Sequence, residues 1–331
     1  MHDHVTHDTL ATYAQNKVNV SSEAAKNRRD QVNYLRTRLE AHIAAHPDYD
    51  LVKMRGSGSV AKHTAIKGTG GSDADVAAYV KATSVGGVSA EEAGLLAWLR
   101  DRCIEVYGQT KVVDDFVTSR HAVGITMHGS GLKIDVAPVL YEGEPDDRGY
   151  LITRDGQRVL TSVTLHLRLL NSRSSTAGGE YKELIRLIKA FIKQAKFDDE
   201  SFKFKPFLAE LIVAHLWDHG WNGEALAVKN YPRAFEQFFG YIVRTGLRDE
   251  IVFDDYHTAS DVPSSNDAIR IWDPVNPTNN VASAYTESDR LRLVRRAGEA
   301  LDQITWAATA TTKGAANDAW RFIFGPTFQG A

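Results

Sequence analysis

Apolar side chains recur every three to four positions through residues 22–45, where Val32, Leu35, Leu39 and Ile43 share one helical face and Ser21 or Ser22 stands ready as N-cap. A short strand is predicted over 48–55. From Asp73 to Val80 the period falls to two, with Val76, Ala78 and Val80 on one face and Asp73, Asp75, Ala77 and Tyr79 on the other. A helix over 90–106 opens with the capping box Ser89-x-x-Glu92 and stops at Gly108. Ala122–Met127 and Leu132–Ala137 alternate again and are joined by HGSG, the pattern of a β-hairpin. Beyond about residue 160 the stripes are helical, at 180–195, 206–219, 231–245 and 287–309. The pattern predicts an α+β chain, a mixed-sheet domain over 1–160 followed by a helical domain over 161–331, with no repeat or Pro/Gly-rich linker between them. The first helix is long enough to brace both.

Composition changes this picture little. With 43% hydrophobic and 24% charged residues over 331 positions, a sizeable core fits one large or two fused domains. Lys and Arg number 39 against 42 Asp and Glu, so there is no bulk attraction for a polyanion, and a phosphate contact must come from a local patch. The single cysteine, Cys103, excludes a disulfide framework and a thiolate-rich zinc site. MHDHVTHD lacks the basic start and apolar stretch of a signal peptide, and no apolar run approaches the roughly 18 residues of a membrane span. A cytoplasmic location without membrane contact is expected.

The candidate chemistry lies in GSGSVAKHTAIKGTGGSDADVAAYV, residues 56–80. Two carboxylates at i and i+2 of a strand point to the same side, and like charges that close ask for a cation between them. Mg²⁺ suits hard oxygen ligands and takes the rest of its shell from water and substrate phosphates. In LKIDVAP, Leu132, Ile134 and Val136 take one face and Asp135 the other, so Asp135 joins Asp73 and Asp75 if the strands are neighbours. Three such acids could hold two metal ions, one activating an attacking hydroxyl and one neutralising a leaving pyrophosphate. Backbone amides of the Gly/Ser turn and the Ser59 hydroxyl supply an anion cradle beside them.

Gly58-Ser59, then Asp73-x-Asp75, then Ile134-Asp135-Val136 resembles the DNA polymerase β-like nucleotidyltransferases. YKELIRLIKAF (181–191), KPFLAEL (205–211) and IWDPVNPTNNVA (271–282) resemble the helical-domain signatures of oligoadenylate synthases and of the bacterial cGAS/DncV-like enzymes, the CD-NTases. Within these the chain is most similar to the CD-NTases of CBASS anti-phage operons, in clades encoded beside HORMA-domain proteins. The resemblance implies a nucleotidyltransferase core joined to a C-terminal helical domain, with the active site in the cleft between them. It implies Asp73, Asp75 and Asp135 as catalytic and metal-binding residues for two Mg²⁺, with Mn²⁺ as substitute. Gly58 and Ser59 would hold the donor's terminal phosphates, Lys189 would reach them from the helical domain, and Lys205 and Phe207 would touch phosphate and base. NTPs, ATP among them, would be joined into a cyclic di- or trinucleotide second messenger with release of pyrophosphate, and a HORMA-domain protein is the implied activator.

Blander readings compete. Asp-x-Asp after glycines is by itself a surface turn, GSGS a flexible linker, and Lys189 part of a solvated stripe with Lys182, Arg186 and Lys193. DPVNPTNN is by chemistry a Pro/Asn turn. His215 and His219 have the spacing of zinc ligands, but Leu216 stands where a metalloprotease needs Glu, so a packed helix is expected. His2, His4 and His7 read as scattered terminal histidines, and Cys103 as core. A nucleic-acid activator is not indicated; it would need dispersed residues such as Lys26, Arg28, Arg29, Arg36 and Arg38, which read first as a solvated face. The stretch 159–174 lacks the proline-containing turn of many relatives, so base contacts there are not transferred. The three aspartates would equally serve a linear oligoadenylate-type polymerase or an RNA- or protein-nucleotidylating toxin, and their completeness argues against an inactive scaffold.

Overall fold

The structure, a computed structural model, describes residues 4–45, 51–68, 74–81, 94–143 and 145–330. The chain divides into two compact units, Val20–Leu169 and a second made of Met1–Asn19 with Leu170–Ala331. The first nineteen residues therefore group with the helical unit and not, as the expected boundaries had it, with the sheet. The reason is apolar docking: Tyr13 packs its ring against Phe324 and Phe328 at 4.9 Å each and donates its hydroxyl to the Phe324 carbonyl.

In the sheet unit, α2 (Ser22–Ala44) is capped by the Ser21 hydroxyl on the Ala24 amide. Its predicted stripe is buried: Val32, Leu35, Leu39 and Ile43 are 6% exposed or less. The strands are β1 (Leu51–Ser57), β2 (Ala74–Lys81), β3 (Phe116–Thr118), β4 (Val123–Met127), β5 (Leu132–Gly143), β6 (Arg148–Ile152) and β7 (Arg158–Thr161). They form one mixed sheet in the order β1-β2-β5-β4-β3, with β6 pairing β5 and β7 pairing β6. The β4–β5 hairpin forms as predicted, but β5 runs on to Gly143. The predicted capping box Ser89–Glu92 lies outside the described residues; the helix that follows, α4, spans Leu95–Tyr107.

The two faces of the sheet differ as the alternation requires. Ala74, Val76, Ala78, Ile134 and Val136 pack against α2 and α4 in the main core, together with a fully buried Cys103. Burial pushes the Cys103 thiol well above its ordinary range, so it stays protonated and inert. On the opposite face Ala77, Tyr79 and Val139 pack on Val163, the first residue of α5 (Val163–Ala177). The Tyr79 hydroxyl accepts the Val163 amide there. Asp75 and Asp135 belong to this second face.

The helical unit contains α1 (His7–Tyr13), α6 (Gly179–Asp198), α7 (Pro206–His219), α8 (Tyr231–Thr245), α9 (Glu287–Thr309) and α10 (Lys313–Phe324). Its core is aromatic, built on Phe191, Phe204, Phe235, Phe238, Phe239 and Trp320, all fully buried. Among the described residues no helix is long and apolar enough to cross a membrane.

Candidate active site

Strands β2 and β5 run parallel, with Asp75 directly opposite Asp135. Register partners share a face, and neighbouring strands lie about 4.8 Å apart, so the two carboxylates rise side by side from adjacent backbones. Asp73 lies outside the described residues. On the other flank of β2, antiparallel β1 sets Ser57 opposite Asp75. The chain then turns into the one-turn helix α3 (Gly58–Ala61).

Gly58 has φ +65, and a Cβ on it would fall 1.6 Å from Asp75 Oδ2. The turn therefore needs glycine twice, for its left-handed backbone and for the carboxylate that fills the space. Ser59 follows, half-buried, its carbonyl accepting the Thr64 amide; its hydroxyl has no partner among the described residues. A cavity of about 150 Å³ opens beside this turn, lined by Asp75, Ser57 and Val60 and by Arg29 and Arg36 of α2.

Asp135 is held by a second glycine. Gly124 of β4 is its register partner, and a Cβ there would come within 2.8 Å of Asp135 Oδ1. Among the described residues that oxygen, buried, accepts no hydrogen bond, and Lys133 Nζ lies 3.5 Å from it. A buried carboxylate oxygen without a donor is costly unless a ligand completes it. Adjacent carboxylates with one such oxygen make a donor set of hard oxygens, which fits a divalent cation such as Mg²⁺.

A family model, the Second Messenger Oligonucleotide or Dinucleotide Synthetase domain, matches residues 5–157. The cyclic AMP-AMP-AMP synthase of Escherichia coli strain MS 115-1 is 38% identical over 329 residues, covering 99% of each chain. The chain is a CD-NTase. The CBASS oligonucleotide cyclase CdnC of E. coli strain KTE188 is 28% identical over 98% of each chain. Structures of E. coli MS115-1 CdnC with ATP and in the CdnC:HORMA-deltaN complex superpose with TM-scores of 0.87, covering 99% and 100% of this chain and 100% of those chains, at 38% identity. This CD-NTase thus has the expected mixed-sheet nucleotidyltransferase core and C-terminal helical region, is a nucleotidyltransferase of oligonucleotide-cyclase type, and belongs to a metal-dependent class.

The remaining expected site residues of this CD-NTase lie in the helical unit. Lys189 of α6 is 7% exposed and its ammonium meets Glu210 of α7 at 2.6 Å, so it is not part of a solvated stripe. Lys205 is the exposed N-cap of α7, its amide donating to the Tyr285 hydroxyl at 2.8 Å, and Phe207 is half-buried in the first turn. His215 and His219 lie with ring centroids 4.6 Å apart and tilted by 31°, His215 also 5.3 Å from Tyr241, on a helix whose Leu211, Ile212 and Leu216 are buried as expected.

Sequence reasoning missed Gly124 and Lys133. The glycine had a signal, since an isolated Gly inside the alternating run AVGITM marks a close approach. Lys133 had only its place two residues before Asp135 on the same face.

Proposed function

We propose that this CD-NTase condenses ATP into a cyclic trinucleotide of three AMP units, using divalent magnesium, and that a HORMA-domain protein binds and activates it. The observation that carries this reading is the Asp75–Asp135 rung beside the Gly58–Ser59 turn, in a chain 38% identical over 99% of its length to a cyclic AMP-AMP-AMP synthase. The structures of E. coli CdnC with ATP and with HORMA-deltaN support the substrate and the partner.

The sheet unit is the catalytic core in this reading. Asp75 and Asp135, with Asp73 two residues before Asp75, would hold two Mg²⁺, Mn²⁺ serving as substitute. When bound, such ions supply a lowered pKa at the attacking hydroxyl and neutralise the departing pyrophosphate. The Gly58 amide and the Ser59 hydroxyl donate to the donor's terminal phosphates, and Lys205 and Phe207 contribute phosphate and base contacts. The acceptor's sugar hydroxyl attacks the α-phosphorus in line with the bond to the pyrophosphate; that bond breaks as the new P–O bond forms, and Asp135 takes the hydroxyl proton. Lys189 meets a phosphate only by leaving Glu210. Three transfers, the last within one linear intermediate, close the ring.

The test is incubation with ATP and Mg²⁺, phosphatase treatment, nucleases of defined linkage specificity and mass spectrometry. A phosphatase-resistant species of three AMP units supports the reading. Products that all keep a phosphatase-sensitive end refute ring closure.

A further inference from the structure

Arg55 sits on β1 two positions before Ser57, on the face that carries Asp75 and about 7 Å along the strand from the carboxylate rung. Its side chain is 52% exposed, and among the described residues its one carboxylate partner is Asp147, which meets its Nε at 3.4 Å. Asp147 is unusual. It is 3% exposed and has φ +51, a left-handed backbone that aspartate tolerates in a turn. Its Oδ2 also accepts the Thr164 hydroxyl at 2.7 Å, and its Oδ1 is paired with Lys53. Lys53, the next residue of β1 on this face, is enclosed, with Nζ 3.3 Å from the Tyr141 hydroxyl and 4.6 Å from the Tyr141 ring centroid.

Asp147 meets both cations, Lys53 directly and Arg55 through Nε at 3.4 Å, and the guanidinium is the more exposed of the two, 52% against 19%. Asp147 takes only Nε, which leaves the two terminal nitrogens of Arg55 as a planar fork suited to bidentate contact with a phosphate.

We propose that Arg55 is a further substrate-binding residue, gripping a phosphate of the bound nucleotide over the sheet face, and that Asp147 is the positioning residue that aims it. The inference rests on the nucleotidyltransferase reading of the Asp75–Asp135 rung.

The test compares affinities for a nonhydrolysable α,β-methylene analogue of ATP and for adenosine, both with Mg²⁺. Arg55→Met, a change at a half-exposed side chain, is expected to weaken the analogue by about tenfold or more, to leave adenosine unchanged and to keep Tm. Arg55→Lys, which retains charge but not the fork, should fall between. Asp147→Asn should raise KM for ATP at unchanged kcat, with Arg55→Met adding little on top, because the two act as one unit. Analogue affinity within about twofold of wild type in Arg55→Met, equal losses for adenosine, or additive effects of the two changes would overturn the proposal. Product identity is measured separately by mass spectrometry, so a wrong product would refute the proposed function while the binding comparison still decides the role of Arg55.

Discussion

Asp75 Oδ2 occupies the space in which any residue other than glycine at position 58 would carry its Cβ, the two points being 1.6 Å apart. The Gly58–Ser59 turn and the carboxylate rung are thus one interlocked object. Gly58→Ala must either swing the Asp75 carboxylate away or push the turn off its left-handed backbone, and displacements of about 1 Å at a catalytic centre cost on the order of a hundredfold. We expect kcat to fall at least that far with the circular dichroism spectrum unchanged; activity within about threefold of wild type would separate the two features.

Asp135 keeps a buried oxygen without a donor, a state that costs the fold stability. Asp135→Asn should abolish nucleotidyl transfer while leaving Tm unchanged or up by as much as ~3 °C, since one of two like charges on adjacent strands is removed. Calorimetry beside a turnover assay measures both. A Tm several degrees lower would mean that the carboxylate is a structural partner of Lys133.

Lys189 and Glu210 form a buried pair, and removal of one takes from the other an opposite charge at 2.6 Å. Lys189→Met should destabilise the helical unit by roughly 3–5 kcal/mol, and the double change Lys189→Met with Glu210→Leu should recover most of that. Denaturant midpoints measure the recovery. If the recovered double variant binds ATP as wild type does, Lys189 is a strut; if affinity stays low, it is a phosphate ligand as well.

Acid sensitivity should trace to His215. Burial, with the charge of neighbouring His219, lowers its pKa from 6.5 to about 4. The unfolded chain therefore takes a proton that the folded chain refuses between those values. The stability contribution is full above pH 6.5 and is lost as pH falls toward 4, by at most about 1.4 kcal/mol per pH unit. His215→Gln should flatten that limb in a melting series from pH 7 to 4, and an unchanged slope would assign it to other groups.

What the sequence made legible was what periodicity encodes. Val32, Leu35, Leu39 and Ile43 were readable because a helix returns them to one face, and Asp75 and Asp135 because each sits out of phase with buried neighbours on a strand. That they stand opposite each other is a matter of register, which no single strand carries. Strands β6 and β7 went unread because RGYLI and RVLT are too short for a period of two to show.

Pairings between distant elements were likewise out of reach. Arg38 is exposed, as its place on the polar face implied, but Arg36 is half-buried and donates to the Met54 carbonyl at 2.8 Å. Lys189 read as part of a polar stripe because its partner Glu210 lies on another helix. Long basic side chains lay their stems on apolar surface and deliver their charge elsewhere, so a helical wheel misplaces them.

The most direct check is mass spectrometry of what wild type, Asp75→Ala and Asp135→Ala each make from ATP with Mg²⁺. Two carboxylates acting as one centre predict a phosphatase-resistant ring from wild type and no nucleotidyl transfer from either variant. A ring still formed by either variant would contradict the account.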